Sequence, residues 1–221
     1  MDFKTRNQII FENLKESIIS GKYKPNERII ISKIAKQFGI SEIPIREVMT
    51  KLKAEGYVEI KPHIGARVTE YNMDEIEKIY QVRWELEGLA TKMATQYIDK
   101  KLIEKLQKII NQMGQAINKK KYEEIGLLNK NFHKIIYAKC GNEFLYNMIF
   151  NLWNLTGRTP GVFMLNEDRT KKAAYEHELI LKAIKNEDCE LAKKLTIDQK
   201  KASLRIMKEY FQKNKKTVVK P

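Results

Sequence analysis

The chain has three histidines, His63, His133 and His177, and two cysteines, Cys140 and Cys189. Imidazoles bind metals and move protons near neutral pH, so their neighbours decide which chemistry is open. Asn129 stands four residues before His133, which puts both on one face of a helix. His177 falls on an apolar stripe between Ala174 and Leu181. Gln199 falls between Leu195 and Ala202, and Arg83 between Ile79 and Leu86. Five polar side chains therefore point inward among apolar neighbours. Buried polar groups need partners, so these five either bond one another or surround a polar ligand. Arg83 or Arg158 would suit the second case by pairing a carboxylate bidentately.

Enzymatic readings find little support. A carboxylate-bridged metal oxidase in a helical bundle uses Glu-x-x-His pairs, but lysine occupies position 130 and alanine position 174. His177-Glu178 would need a histidine at 181 to make a zinc-protease helix, and Leu181 stands there. Neither cysteine has a local nucleophile signature. The chain is not expected to be an enzyme.

A second set of residues points to nucleic acid. Ser41-Glu42-Ile43-Pro44-Ile45-Arg46 opens a segment with a buried stripe at Ile45, Val48, Met49 and Leu52. Ser41 is a capping residue, and Pro44 is tolerated in a first turn, which has no intrahelical N–H bonds to lose. Arg46 either contacts DNA or pairs with Glu42 at i,i+4, a contact worth ~0.3–0.5 kcal/mol. We favour the DNA role, because the exposed face of a reading helix needs a basic side chain.

These residues require particular elements around them. Ile9, Leu14, Ile18 and Ile19 mark a first amphipathic helix ended by Gly21, and Ser32 is placed to cap a short second helix with Ile34, Ala35 and Phe38. Gly39 suits a tight left-handed turn between that helix and the next. Tyr57–Ile60 and Ala66–Val68 read as two strands of a hairpin around Pro62, His63 and Gly65. Helix, turn, helix and hairpin is the plan of a winged helix-turn-helix. From Met73 to Thr159 there is no proline, and six apolar stripes with short connections imply an antiparallel helical bundle. The fold class is therefore mainly α. Residues 1–70 form the winged module, 71–213 an all-α bundle, and 214–221 a lysine-rich tail.

The run Ile34-Ala35, Gly39-Ile40-Ser41, Pro44-Ile45-Arg46-Glu47, Leu52, Glu55-Gly56 and Gly65, preceded by Ile18-Ile19-Ser20-Gly21 and Pro25, resembles GntR-type transcriptional regulators over residues 8–70. The resemblance implies that Ser41, Glu42, Ile43, Pro44 and Arg46 approach the major groove. His63, Gly65 and Arg67 would belong to a wing in the minor groove. Glu42 departs from the family, which usually has arginine there. A carboxylate repels phosphate and only accepts hydrogen bonds, for instance from a cytosine amino group.

Further along, Val82-Arg83 with Leu86-Glu87, Phe132-His133 with Gly141-Asn142, and Glu176-His177 with Ala183-Ile184, Asp188 and Ala192 resemble the FCD effector domain of the FadR-like branch. Six helices imply its VanR-like type. In many FCD domains an aspartate and three histidines bind a divalent metal. His133 and His177 match two of those places, while Asn129 and Gln199 replace the aspartate and the last histidine. Two imidazoles and two neutral amides would hold a zinc-like ion weakly at best. These departures from the resemblance favour direct binding of an organic effector at Arg83, Asn129, His133, Arg158, His177 and Gln199 over a divalent metal at His133 and His177, and no cofactor is certain.

Composition agrees with this reading. The chain has 221 residues, and 42 basic against 28 acidic side chains give a net +14, which favours polyanions as partners. Residues 1–72 carry 13 basic and 9 acidic groups, so the excess is spread along the chain and does not locate the DNA face. No apolar run suits a membrane span or a signal peptide, and two cysteines make no disulfide framework. The expected protein is a cytoplasmic, effector-responsive repressor that binds a palindromic operator as a homodimer, without a membrane partner. A nucleoid or RNA-binding protein is the alternative, and competition for specific duplex DNA distinguishes it.

Overall fold

The computed structural model describes residues 5–19, 21–61, 65–70, 72–156 and 162–218, with side chains described up to 213 apart from that of residue 164. His63 and Arg158 lie outside the described residues. The chain divides into two compact units, one of Met1–Asn72 with Asn154–Pro160 and one of Met73–Trp153 with Gly161–Pro221.

The first unit contains α1 (Arg6–Ile19), β1 (Arg28–Ile29), α2 (Ile31–Phe38), α3 (Glu42–Ala54), β2 (Val58–Lys61) and β3 (Gly65–Val68). The strands form an antiparallel sheet in the order β1-β3-β2, with Arg28 opposite Arg67 and Val58 opposite Val68. Strand β1 was not expected, because two residues are too few to show an alternating pattern. The core joins Ile10, Phe11, Leu14 and Ile18 of α1 to Ile45, Val48, Met49 and Leu52 of α3. The stripe of α1 is thus rotated from the expected one: Ile9 is exposed, and Ile10 and Phe11 are buried.

Gly39 takes φ 63°, ψ 40° and its N–H closes the end of α2, as the tight turn requires. Ser32 is not the cap of α2. That helix starts at Ile31 and its N-cap position is Ile30, two residues before Ser32, with no side-chain bond. Ser41 does occupy the N-cap position of α3, again without a side-chain bond.

The second unit contains α4 (Met73–Thr95), α5 (Lys100–Asn118), α6 (Tyr122–Tyr137), α7 (Glu143–Thr156), α8 (Val162–Leu165), α9 (Glu167–Lys185) and α10 (Cys189–Val218). Six long helices were expected. The structure adds the single turn α8, which is too short to display a 3.6-residue period. Helix α10 continues to Val218, so residues 214–218 of the expected lysine-rich tail extend the last helix. Asp99 and Asn166 cap α5 and α9 by accepting from the N–H groups of Leu102 and Arg169.

Helices α4 and α10 pack closely because position 88 is glycine. A Cβ there would lie 2.7 Å from Ile197 Cγ1. The face of α10 turned inward is also one position away from the expected one. Ala192, Thr196, Gln199, Lys200, Ser203, Leu204 and Met207 are buried, while Leu191 and Tyr210 are exposed. That rotation places a lysine in the interior.

Candidate functional site

In the first unit the candidate reading surface is the first turn of α3. Ile45 is fully buried and anchors the helix, while Ile43 is 70% exposed on the opposite side. Glu42 and Arg46 share the exposed face and pair at 2.9 Å. The ion pair considered from the i,i+4 spacing therefore exists, but both side chains remain largely in solvent, so it is weak. On β3, Arg67 Nη1 donates to the Asn26 carbonyl oxygen at 2.9 Å, which ties the strand to the turn before β1. Gly65 has φ 90°, a conformation that L side chains rarely adopt.

In the second unit the polar residues converge. Helix α6 presents Asn129, His133 and Tyr137 at i, i+4 and i+8. His177 comes from α9, Gln199 and Lys200 from α10, Arg83 and Glu87 from α4, and Trp153 from α7. Glu87, His133 and His177 have no solvent exposure. Asn129 is only partly buried and stands at the edge of the group.

Glu87 is the centre of charge. Its Oε1 accepts from Arg83 Nε at 2.9 Å and Trp153 Nε1 at 2.8 Å. Its Oε2 accepts from the Tyr137 hydroxyl at 2.7 Å and faces Lys200 Nζ at 3.4 Å. Burial alone would push this carboxyl pKa upward. Arg83 and Lys200, with the Trp153 and Tyr137 hydrogen bonds, outweigh burial and hold it below the usual carboxylate value. Lys200 shows the opposite balance: burial lowers its pKa to about 8 even though Glu87 supports the charge. Burial also raises the Tyr137 hydroxyl well above its ordinary value.

Burial brings His177 down to about 3, and the bond to the Ala173 carbonyl only partly opposes it. Burial, Lys200 and His177 hold His133 well below its usual value. Both rings are therefore neutral at pH 7, and their hydrogen bonds fix the tautomers. His177 Nδ1–H donates to the Ala173 carbonyl at 2.6 Å. Its Nε2 must then accept, so the Asn129 amide 3.1 Å away meets it with the nitrogen rather than Oδ1.

For His133 the order is reversed. Lys200 Nζ donates to Gln199 Oε1 at 3.2 Å, so it is an oxygen that faces His133 Nε2 at 2.7 Å, and the ring donates from Nε2. Its Nδ1, bare in this tautomer, stands 3.2 Å from the Tyr137 hydroxyl oxygen, whose one proton is given to Glu87, so this contact is not a hydrogen bond. A donor network thus runs from His133 and Lys200 through Gln199 Oε1, and from Lys200, Arg83, Tyr137 and Trp153 to Glu87.

This donor set does not fit a zinc-like ion. Among the described residues no group of three or more His, Cys, Asp or Glu side chains is placed to hold a metal. His133 and His177 lie 5.2 Å apart by ring centroids, but His133 Nε2 carries a proton and a lysine ammonium stands beside the site.

The comparisons with known proteins bear on both units. The model of the bacterial regulatory proteins of the gntR family matches residues 6–68, and the FCD domain model matches residues 78–198. The chain belongs to the GntR family of transcriptional regulators and carries an FCD domain.

This GntR-family chain is 30% identical over 182 residues to the HTH-type transcriptional regulator McbR of Escherichia coli (strain K12), covering 80% of this chain and 81% of that protein. It is 29% identical over 184 residues to the HTH-type regulator YdhC of Bacillus subtilis (strain 168), covering 83% and 82%. The solved structure of E. coli McbR/YncC superposes with a TM-score of 0.75 at 23% identity over 95% of this chain and 100% of that one, a likeness of fold. The family consists of DNA-binding regulators rather than enzymes, so the metal-oxidase reading is set aside.

Sequence reasoning placed Asn129, His133, His177 and Gln199 together, and they are together, with Arg83 joined to them through Glu87. It missed Glu87, Tyr137, Trp153 and Lys200. Glu87 lies four residues after Arg83 and Tyr137 four after His133, so helical spacing from the residues already chosen was the available signal. Lys200 was hidden by the misplaced stripe of α10.

Proposed function

We propose that this GntR-family regulator is an effector-responsive repressor that binds a palindromic operator as a homodimer in the cytoplasm. Ser41, Glu42, Ile43, Pro44 and Arg46 of α3 meet the major groove, and His63, Gly65 and Arg67 belong to the wing. On DNA, Arg46 exchanges its exposed Glu42 partner for a guanine edge or a phosphate, and Glu42 accepts from a cytosine amino group. Relatives support the repressor reading: the gluconate operon transcriptional repressor of Bacillus licheniformis is 29% identical over 187 residues, and GlaR of E. coli (strain K12), also named a repressor, is 23% identical over 190.

The effector is a small organic acid received at Arg83, Asn129, His133, Arg158, His177 and Gln199. The observation that carries this reading is the buried polar core itself. Arg83 and Lys200 against Glu87 leave it one net positive charge, which a carboxylate would neutralise, while its other polar side chains bond one another. The six long helices support the VanR-like type of FCD domain. A thermal-shift screen of small carboxylic acids, followed by operator release in the presence of each hit, tests the reading. A hit that raises the melting temperature and releases operator supports it. Acids that neither stabilise the protein nor change operator affinity overturn it.

A further inference from the structure

The core contains a residue for which the resemblance to metal-binding FCD domains has no place. Lys200 is 5% exposed, and its ammonium lies 3.4 Å from Glu87 Oε2 and 3.2 Å from Gln199 Oε1. Gln199 occupies the place of the last histidine ligand, so the ammonium stands one hydrogen bond away from a metal-ligand position. Glu87 is the carboxylate to which Arg83 and Lys200 both turn, at 2.9 and 3.4 Å. These three charges sum to one net positive charge inside the bundle.

We propose that Lys200 is the resident cation of this core: it supplies the positive charge that a divalent metal supplies in metal-binding relatives, and it closes the two-histidine site to zinc-like ions.

Two physical effects act together. The first is charge, since a divalent ion at His133 and His177 would sit beside an ammonium in a water-poor interior, where like charges are poorly screened. The second is the tautomer of His133. A metal needs the lone pair of Nε2. Lys200 holds Gln199 with its oxygen toward that nitrogen, and the oxygen keeps a proton there. His177 is different, because its Nδ1–H is given to the Ala173 carbonyl and its Nε2 faces the Asn129 amide as an acceptor, the usual disposition of a metal-binding imidazole. One ring is thus arranged for a ligand, and Lys200 blocks the other. The substitutions at 129 and 199 remove charge and donors; restoring them also removes the Gln199 oxygen, so on this account the Lys200 charge alone then opposes the metal and keeps binding weak.

The test is zinc and cobalt binding to four full-length proteins purified without an affinity tag: the wild type, Asn129→Asp/Gln199→His, Lys200→Met, and the triple variant. Metal content, calorimetric affinity and the cobalt visible spectrum are read for each. Lys200→Met leaves Arg83 and Glu87 as a balanced pair, and Lys200→Gln in the same background is a second route to removing the charge. The expected result is no stoichiometric metal in the wild type, weak binding by the double variant, and binding tighter by about 100-fold with a tetrahedral cobalt spectrum in the triple variant. One equivalent of tightly bound zinc in the wild type would overturn the proposal. So would equal affinity in the double and triple variants. Neither result touches operator binding, so this proposal and the functional reading fail separately.

Discussion

Acidification from pH 7 to pH 5 destabilises the helical unit through its buried histidines. In the folded protein His177 stays neutral down to about pH 3, whereas in the unfolded chain it takes up a proton near pH ~6.5. Below that pH the unfolded state binds more protons, so protons drive unfolding, at about 1.4 kcal/mol per pH unit for each such ring. At pH 5 His177 alone lowers stability by about 2 kcal/mol. His133 acts in the same direction, because its folded pKa is also held well below the ordinary value. Glu87 contributes little in this window, because the stability from its depressed folded pKa is lost only as the pH falls below the unfolded value near ~4.3.

Urea denaturation at fixed protein concentration provides the assay. Trp84 and Trp153, the only tryptophans, lie on α4 and α7, so their fluorescence reports the helical unit. With a slope of about 2 kcal/mol/M, His177 alone moves the midpoint by about 1 M. The variant His133→Gln/His177→Gln is expected to lose most of the pH dependence, whatever its absolute stability. A wild-type midpoint that does not move between pH 7 and 5 would refute the reasoning. So would an unchanged pH dependence in the double variant.

Lys200 gives a signal at the other end of the pH scale. Its folded pKa of about 8 lies below the unfolded value near ~10.4, so stability should rise from pH 8 to 9.5 by up to about 2 kcal/mol, and Lys200→Met should remove that rise. Arg46→Ala should weaken operator binding by ~1–3 kcal/mol and relax preference at one base pair if the arginine reads guanine. An equal loss on operator and random DNA would reassign it to phosphate. Glu42→Arg frees the exposed face of α3 from its ion pair and adds a cation, so affinity for generic DNA should increase and its salt dependence steepen. An unchanged salt slope would show that residue 42 faces away from the duplex.

The winged unit was legible because short-range rules fix it. Gly39 has to reverse the chain in a left-handed conformation, Pro44 is tolerated only in a first turn, and Ile45, Val48 and Leu52 make an unbroken stripe. The two-residue strand β1 was not legible, because its pairing partner, β3, is about forty residues away. In the helical unit, polar residues on apolar stripes located Asn129, His133, His177 and Gln199. The stripe of α10 misled by one position because Thr196, Gln199, Lys200 and Ser203 are buried there. Apolar periodicity cannot show a face built largely from polar side chains. Such a face is visible only once Glu87, brought in on α4, is seen to balance the charge.

Capture of fragmented genomic DNA by the full-length protein, followed by sequencing with and without a random-duplex competitor, tests the central claim most directly. A regulator that reads DNA with α3 is expected to enrich a few sites that share a roughly two-fold symmetric sequence, survive competition, and lose that sequence preference in Arg46→Ala. Enrichment spread evenly over the genome and abolished by random duplex would contradict it.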